Sequence, residues 1–164
     1  MKTAPRTLFA EEFRLEQLSK KHDPLERLNH HIDWEMFRPL LTTVFAKDAK
    51  GAGGRPPYDY VLMFKILILQ RYYNVSDEGV EFQILDRLSF MRFLGVGLSD
   101  RVPDHNTVWL FRENVATSGV MEQLFTLFTT QLETQGLLVH EGSIVDASIV
   151  EVPRQRNSRE ENKA

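Results

Sequence analysis

Residues 58–73 decide the fold, and they read YDYVLMFKILILQRYY. Their apolar side chains fall on nearly every side of a helix with about 3.6 residues per turn. A helix of this kind must be covered all round, so the segment predicts a central core helix. The preceding residues 51–57, GAGGRPP, predict a loop because glycine and proline both interrupt regular structure.

Helical patterns also precede this segment. The apolar residues between Leu8 and Leu18 approximate a helical stripe, which Pro24 then interrupts. Asp33 can cap a second helix that runs through Phe45. Pro39 falls inside that helix and predicts a kink or a split, because proline lacks the backbone N–H.

Three further helices are predicted after the central one. Ser76 begins a helix to about Leu88, and Gly95 and Gly97 open a loop beyond it. Pro103-Asp104 begins the next helix. Its predicted inner face comprises Val108, Phe111 and Val115. The last helix spans 120–135, and its predicted inner face comprises Met121, Leu124, Phe125, Phe128 and Leu132.

The character of the sequence changes at Gly136, after which residues 137–139 and 143–152 are rich in β-formers. Such apolar strands need neighbouring strands, so we expect a sheet of which this chain carries the beginning. Asp146 lies in the middle of the second run, and a carboxylate on a rigid strand is well placed to bind a hard cation such as Mg²⁺. The alternative is an aspartate at a strand edge that accepts hydrogen bonds from a loop.

Composition excludes several classes of protein. The 164 residues are 42% hydrophobic and contain no cysteine, which excludes a disordered tail, a disulfide scaffold and a thiolate metal site. The longest apolar run, Val61–Leu69, contains Lys65 and is too short to cross a bilayer, so no membrane partner is expected. The net charge is −3, and the basic segment is 152–164, with four basic and two acidic residues. Charge alone therefore makes no strong case for nucleic-acid binding.

A set of ordered motifs then points to a family. Residues 142–148, GSIVDAS, resemble the first catalytic strand of bacterial insertion-sequence transposases with an Asp-Asp-Glu active site. The resemblance is closest to the insertion-sequence-five, or InsH-like, group and covers roughly residues 30–162. The other matching segments are 54–58, 74–77, 86–95, 102–107, 111–112 and 152–162.

The resemblance implies a mainly α protein with three parts. An amino-terminal helical arm, 1–30, precedes a helical DNA-binding domain, 31–136, and 137–164 begin a truncated ribonuclease-H-like catalytic domain. In this family three carboxylates hold two Mg²⁺ ions for DNA strand cleavage and transfer. Asp146 matches the first, and the other two are expected beyond residue 164, so we do not expect this chain to cleave DNA by itself.

The same resemblance implies DNA-binding residues. The segment 104–115 would be the recognition helix of a helix-turn-helix-like element, reached from 76–88 across the glycine loop. Its candidate contacts are His105, Asn106, Thr107 and Arg112, although a capped helix with solvated polar residues fits the same pattern. Arg154, Arg156 and Arg159 either contact DNA phosphates or belong to a solvated tail. Trp34, Trp109 and most phenylalanines are predicted to lie in the core rather than to stack on bases.

These observations lead to a transposase, or transposase fragment, that binds the terminal inverted repeats of a mobile element. The expected setting is the bacterial cytoplasm, at the nucleoid, with a second copy or a full-length transposase as protein partner. Two alternatives stay open: a non-catalytic DNA-binding or dimerisation module that modulates a full-length transposase, and a helical protein-interaction domain without a nucleic-acid role.

Overall fold

A computed structural model describes residues 10–45 and 56–137 of the chain. About three quarters of these residues are helical and none forms a strand, which confirms a mainly helical protein. The predicted β-rich runs, with Asp146, lie outside the described residues apart from Leu137.

Eight α-helices and one 3-10 turn make up the described part of the chain. The helices are α1 (Ala10–Lys20), α2 (Pro24–His31), α3 (Arg38–Phe45), α4 (Tyr60–Tyr73), α5 (Asp77–Asp86), α6 (Leu88–Leu94), α7 (His105–Thr117) and α8 (Met121–Thr134), and the 3-10 turn spans Trp34–Phe37.

Helix α4 is the central helix that its sequence predicts. It packs against α3, α5, α6 and α7. Its buried apolar residues are Val61, Met63, Phe64, Ile66 and Leu69. The Asp59 side chain accepts hydrogen bonds from the first backbone N–H groups of α4, and Asn74 ends the helix in a left-handed conformation with φ 51°.

The predicted interruption at Pro24 is confirmed, since α1 ends at Lys20 and Pro24 begins a new helix. It occupies the first turn of α2, where no intrahelical N–H is needed. The Asp23 carboxylate caps the helix by accepting a hydrogen bond from the Leu25 N–H at 3.0 Å. Pro39 has the predicted effect, since a 3-10 turn gives way to α3 at Arg38.

The predicted helix from Ser76 ends sooner than expected. Helix α5 stops at Asp86, and Arg87 is extended with φ −112° and ψ 111°. The apolar residues that follow form the separate short helix α6, whose buried side chains are Phe90, Met91, Phe93 and Leu94.

The inner face of α7 is confirmed, but that of α8 is partly wrong. Val108, Phe111 and Val115 are buried as predicted. On α8, Met121 and Phe125 are exposed by 41% and 67%, whereas Leu124 is buried. The buried stripe continues through Gln131, whose amide accepts a hydrogen bond from Asp33 N at 2.7 Å and donates one to Asp33 O at 3.2 Å. A glutamine can therefore face inward, because the Asp33 backbone supplies hydrogen-bond partners for its side-chain amide.

Candidate functional site

The candidate DNA-binding residues of α7 divide into an exposed pair and a more buried pair. His105 and Asn106 are exposed in the first turn, and Thr107 and Arg112 are half-buried. The Asp104 carboxylate caps the helix by accepting a hydrogen bond from the Thr107 N–H at 2.8 Å. The opposite face of α7 is in the core, so the helix has a fixed orientation with its first turn open to solvent.

Arg112 is held by an acidic partner on a neighbouring helix. Its Nη1 and Nη2 donate to the two carboxylate oxygens of Asp77, at 2.8 and 2.5 Å. Asp77 is the first residue of α5, and its Oδ1 also accepts a hydrogen bond from Gln70 of α4 at 2.8 Å. This two-pronged pair joins α7 to α4 and α5, and such planar pairs are geometrically specific.

The same contacts fix the charge states of the pair. Hydrogen bonding to Arg112 lowers the pKa of the Asp77 carboxyl below its usual range, and the Gln70 hydrogen bond and the nearby His105 act in the same direction. The Asp77 carboxylate likewise raises the pKa of the Arg112 guanidinium. Both terminal nitrogens of Arg112 face Asp77, so the structure gives this side chain a part in positioning α7. A DNA contact by Arg112 stays a prediction.

The exposed side of α7 carries two large apolar residues, one of which the sequence predicts to lie in the core. Trp109 is exposed by 49%, so its assignment to the core is wrong, whereas that of Trp34 is confirmed. Leu110 is exposed by 54%. The spacing of Val108, Phe111 and Val115 could have predicted the exposure of Trp109, because a helix with that buried face turns residue 109 toward solvent.

An aromatic stack packs α7 against α3 and α4. The Phe45 ring lies between those of Tyr60 and Phe111, with centroid separations of 4.7 and 4.9 Å. The Tyr58 hydroxyl donates to the Val102 carbonyl at 3.1 Å, which ties down the segment leading into α7. These contacts hold α7 rigidly on α3 and α4.

The remaining site predictions fall outside the part of the chain that the structure describes. These are Asp146, with its proposed magnesium ion, and Arg154, Arg156 and Arg159. Within residues 10–45 and 56–137, no three histidine, aspartate or glutamate side chains come together as a metal site requires. The magnesium prediction therefore rests on the sequence of residues 142–148.

No helix among the described residues is both long and apolar enough to span a bilayer. Comparison with solved structures finds no match to this chain. Comparison with protein families finds one described as Transposase domain (DUF772), which matches residues 13–114. The matched segment contains most of α1 and continues into α7, so it includes the central helix and nearly all of its neighbours. Since the match covers more than half of the sequence, the chain belongs to the transposase domain family DUF772.

Proposed function

We propose that this chain is a transposase, or part of one, from a mobile insertion sequence of the InsH-like group. Its helical region would bind double-stranded DNA at the terminal inverted repeats of the element. The observation that carries this proposal is the family match over 13–114, which coincides with helices that share one hydrophobic core. The matched segment therefore forms most of a folded unit, to which α8 also contributes Leu124, and we propose that this unit presents the DNA-binding surface.

The proposed recognition element consists of α5, α6 and α7. Helix α5 packs against both α6 and α7, as a helix-turn-helix-like arrangement requires, although the whole of α6 lies between α5 and the glycine loop. Helix α7 would enter the major groove with its exposed first turn. Asn106 can pair with an adenine edge, and His105 and Thr107 can bond to bases or phosphates.

Substitution of exposed residues on α7 tests this assignment. In His105→Ala/Asn106→Ala we expect affinity for the inverted repeat to fall by about 1–3 kcal/mol per lost base contact, with little loss on scrambled DNA. Gln123→Ala/Thr126→Ala removes two exposed polar residues from α8 and is the matched control. Fluorescence anisotropy would measure both variants, and equal losses in both would contradict the role of α7.

The proposed catalytic contribution is Asp146, as the first of three carboxylates that hold Mg²⁺ in a complete ribonuclease-H-like active site. Support comes from its position within the transposase-like run 142–148. Arg154, Arg156 and Arg159 would contact phosphates of the DNA near that site. The site of action would be the bacterial cytoplasm at the nucleoid, with a second copy or a full-length transposase as partner.

A second candidate is a non-catalytic module that occupies element ends and modulates a full-length transposase. The observation that favours it is that the described helices share one hydrophobic core, which runs from Leu25 to Leu124. In this case the helical region would bind DNA without taking part in cleavage.

Asp146→Asn separates the two candidates. In a transposase that carries all three carboxylates, we expect the change to abolish strand cleavage, because the amide is a poor ligand for a hard cation. DNA affinity should stay at the wild-type level. A gel-based cleavage assay with a parallel binding titration would measure both, and retained cleavage would remove Asp146 from the mechanism.

A further inference from the structure

A groove between α1 and the junction of α5 with α6 contains three cationic side chains. Its volume is about 640 Å³, and the described residues that line it include Arg14, Lys21 and Arg87 and one carboxylate, that of Asp86. Among the described residues these three cations form no ion pair, whereas Arg38, Arg92 and Arg112 are each paired with a carboxylate. The groove therefore has excess positive charge in a chain of net charge −3.

The two walls of the groove are fixed relative to each other. Arg92 of α6 donates from Nη1 to the Leu15 carbonyl at 3.1 Å and to the Ser19 hydroxyl at 2.8 Å, both on α1. Its Nη2 donates to the buried Asp23 carboxylate at 2.6 Å, immediately before α2. These bonds hold α1 against α6, so the groove exists before any ligand arrives.

One of the cations is also held in place. The Arg87 guanidinium carbon lies 4.9 Å from the centre of the Phe90 ring and 5.9 Å from that of Tyr73. Stacking on aromatic faces restricts the side chain and leaves its N–H groups available to an anion. A pre-positioned guanidinium loses less conformational entropy on binding a phosphate than a free one does.

We propose that this groove, lined by Arg14, Lys21 and Arg87, binds the sugar–phosphate backbone of double-stranded DNA. The proposal rests on the proposed function and adds a backbone contact to the recognition role of α7. The cations match phosphate charge, and Phe13, Leu18 and Leu88 offer apolar contacts to deoxyribose. Because these contacts read no base edge, the groove contributes affinity and orientation rather than sequence preference.

The salt dependence of binding to a short random-sequence duplex tests the groove. Each phosphate contact contributes about 0.9 to the slope of log K against log salt concentration. We therefore expect Arg14→Gln/Lys21→Gln to reduce that slope by about 2 and to weaken binding at low salt by about tenfold or more. Arg27→Gln/Arg71→Gln is the matched control, because it removes two exposed arginines that lie outside the groove and form no ion pair with another described residue.

The outcomes separate the groove from the wider function. A reduced slope for the groove variant and a wild-type slope for the control, with unchanged circular dichroism, would support the groove. Equal slopes for wild-type and groove variant, or equal reductions in both variants, would overturn the groove while leaving DNA binding intact. If the wild-type chain does not bind the duplex at low salt, the proposed function fails and the groove with it.

Discussion

Lys65 places an amine in a half-buried position on the central helix. Its Nζ donates to the Phe93 carbonyl at 2.7 Å and lies 5.2 and 5.0 Å from the ring centres of Trp34 and Phe93. The amine borders a cavity of about 490 Å³ that Glu35 and Asp59 also line. Burial lowers the pKa of Lys65 from 10.5 to about 8, and the Glu35 carboxylate partly opposes that effect.

This lowered pKa gives a pH-dependent stability with a definite sign. Between pH 8 and 10.5 the unfolded chain holds the Lys65 proton more often than the folded chain does. The free energy of unfolding should therefore rise with pH across this window, relative to a variant without the amine. This gain in the free energy of unfolding is complete above pH 10.5, and it is lost as the pH falls from 10.5 through about 8.

Thermal unfolding of wild type and Lys65→Met as a function of pH measures the effect. We expect wild type to gain stability relative to Lys65→Met as pH rises from 8 toward 10.5. Arg71→Met on the same helix removes an exposed cation that keeps its charge throughout this range, so its difference from wild type should stay flat. A flat difference for Lys65→Met as well would contradict the burial argument.

At the scale of helices, Arg92 is the side chain that joins α1, α2 and α6. Its partner Asp23 has a side chain exposed by only 5% and also caps α2. Removal of the guanidinium would leave that carboxylate buried without its partner. We expect Arg92→Met to lower the free energy of unfolding by about 3–5 kcal/mol, since breaking a buried ion pair from one side leaves an uncompensated charge.

Urea unfolding would measure this loss, with Lys20→Met as the control. Lys20 pairs with Glu16 at 2.7 Å, but both side chains are more than 60% exposed. An exposed pair contributes little, so the control should change stability by less than about 1 kcal/mol. Similar small losses in both variants would show that Arg92 does not hold the amino-terminal helices.

The helices themselves could largely be predicted, because local patterns determine them. The all-round apolar run of α4 correctly predicted a central helix. The spacing of Val108, Phe111 and Val115 correctly predicted the inner face of α7. The face of α8 could not be predicted from hydrophobicity, since Gln131 turns inward to meet the backbone of Asp33. That contact joins residues far apart in sequence, and the local periodicity of apolar residues cannot predict such a contact.

The candidate site was less predictable, because it too depends on contacts between residues that are far apart in sequence. His105 and Asn106 are exposed as a DNA-reading role requires, and Asp104 caps α7 as its sequence suggests. The Arg112–Asp77 pair depends on how α7 packs against α5. The groove depends on how α1 packs against the junction of α5 with α6. Neither could be found without the tertiary structure.

At the scale of the whole molecule, the chain belongs to a transposase domain family, and we propose that its helical region binds DNA. The helical region has no large excess of basic residues, and Arg38, Arg92 and Arg112 each bond to carboxylates. Nonspecific attraction to DNA should therefore be modest and salt-sensitive. Under the proposed function, preference for the element ends would come from the exposed turn of α7, and the groove would orient the DNA backbone.

The central claim is tested most directly by an anisotropy titration of the chain with two duplexes. One carries the inverted repeat that flanks the coding sequence, and the other carries the same bases in scrambled order. We predict at least about tenfold tighter binding to the repeat, equivalent to about 1.4 kcal/mol. Equal affinity for the two duplexes at every salt concentration would contradict the claim.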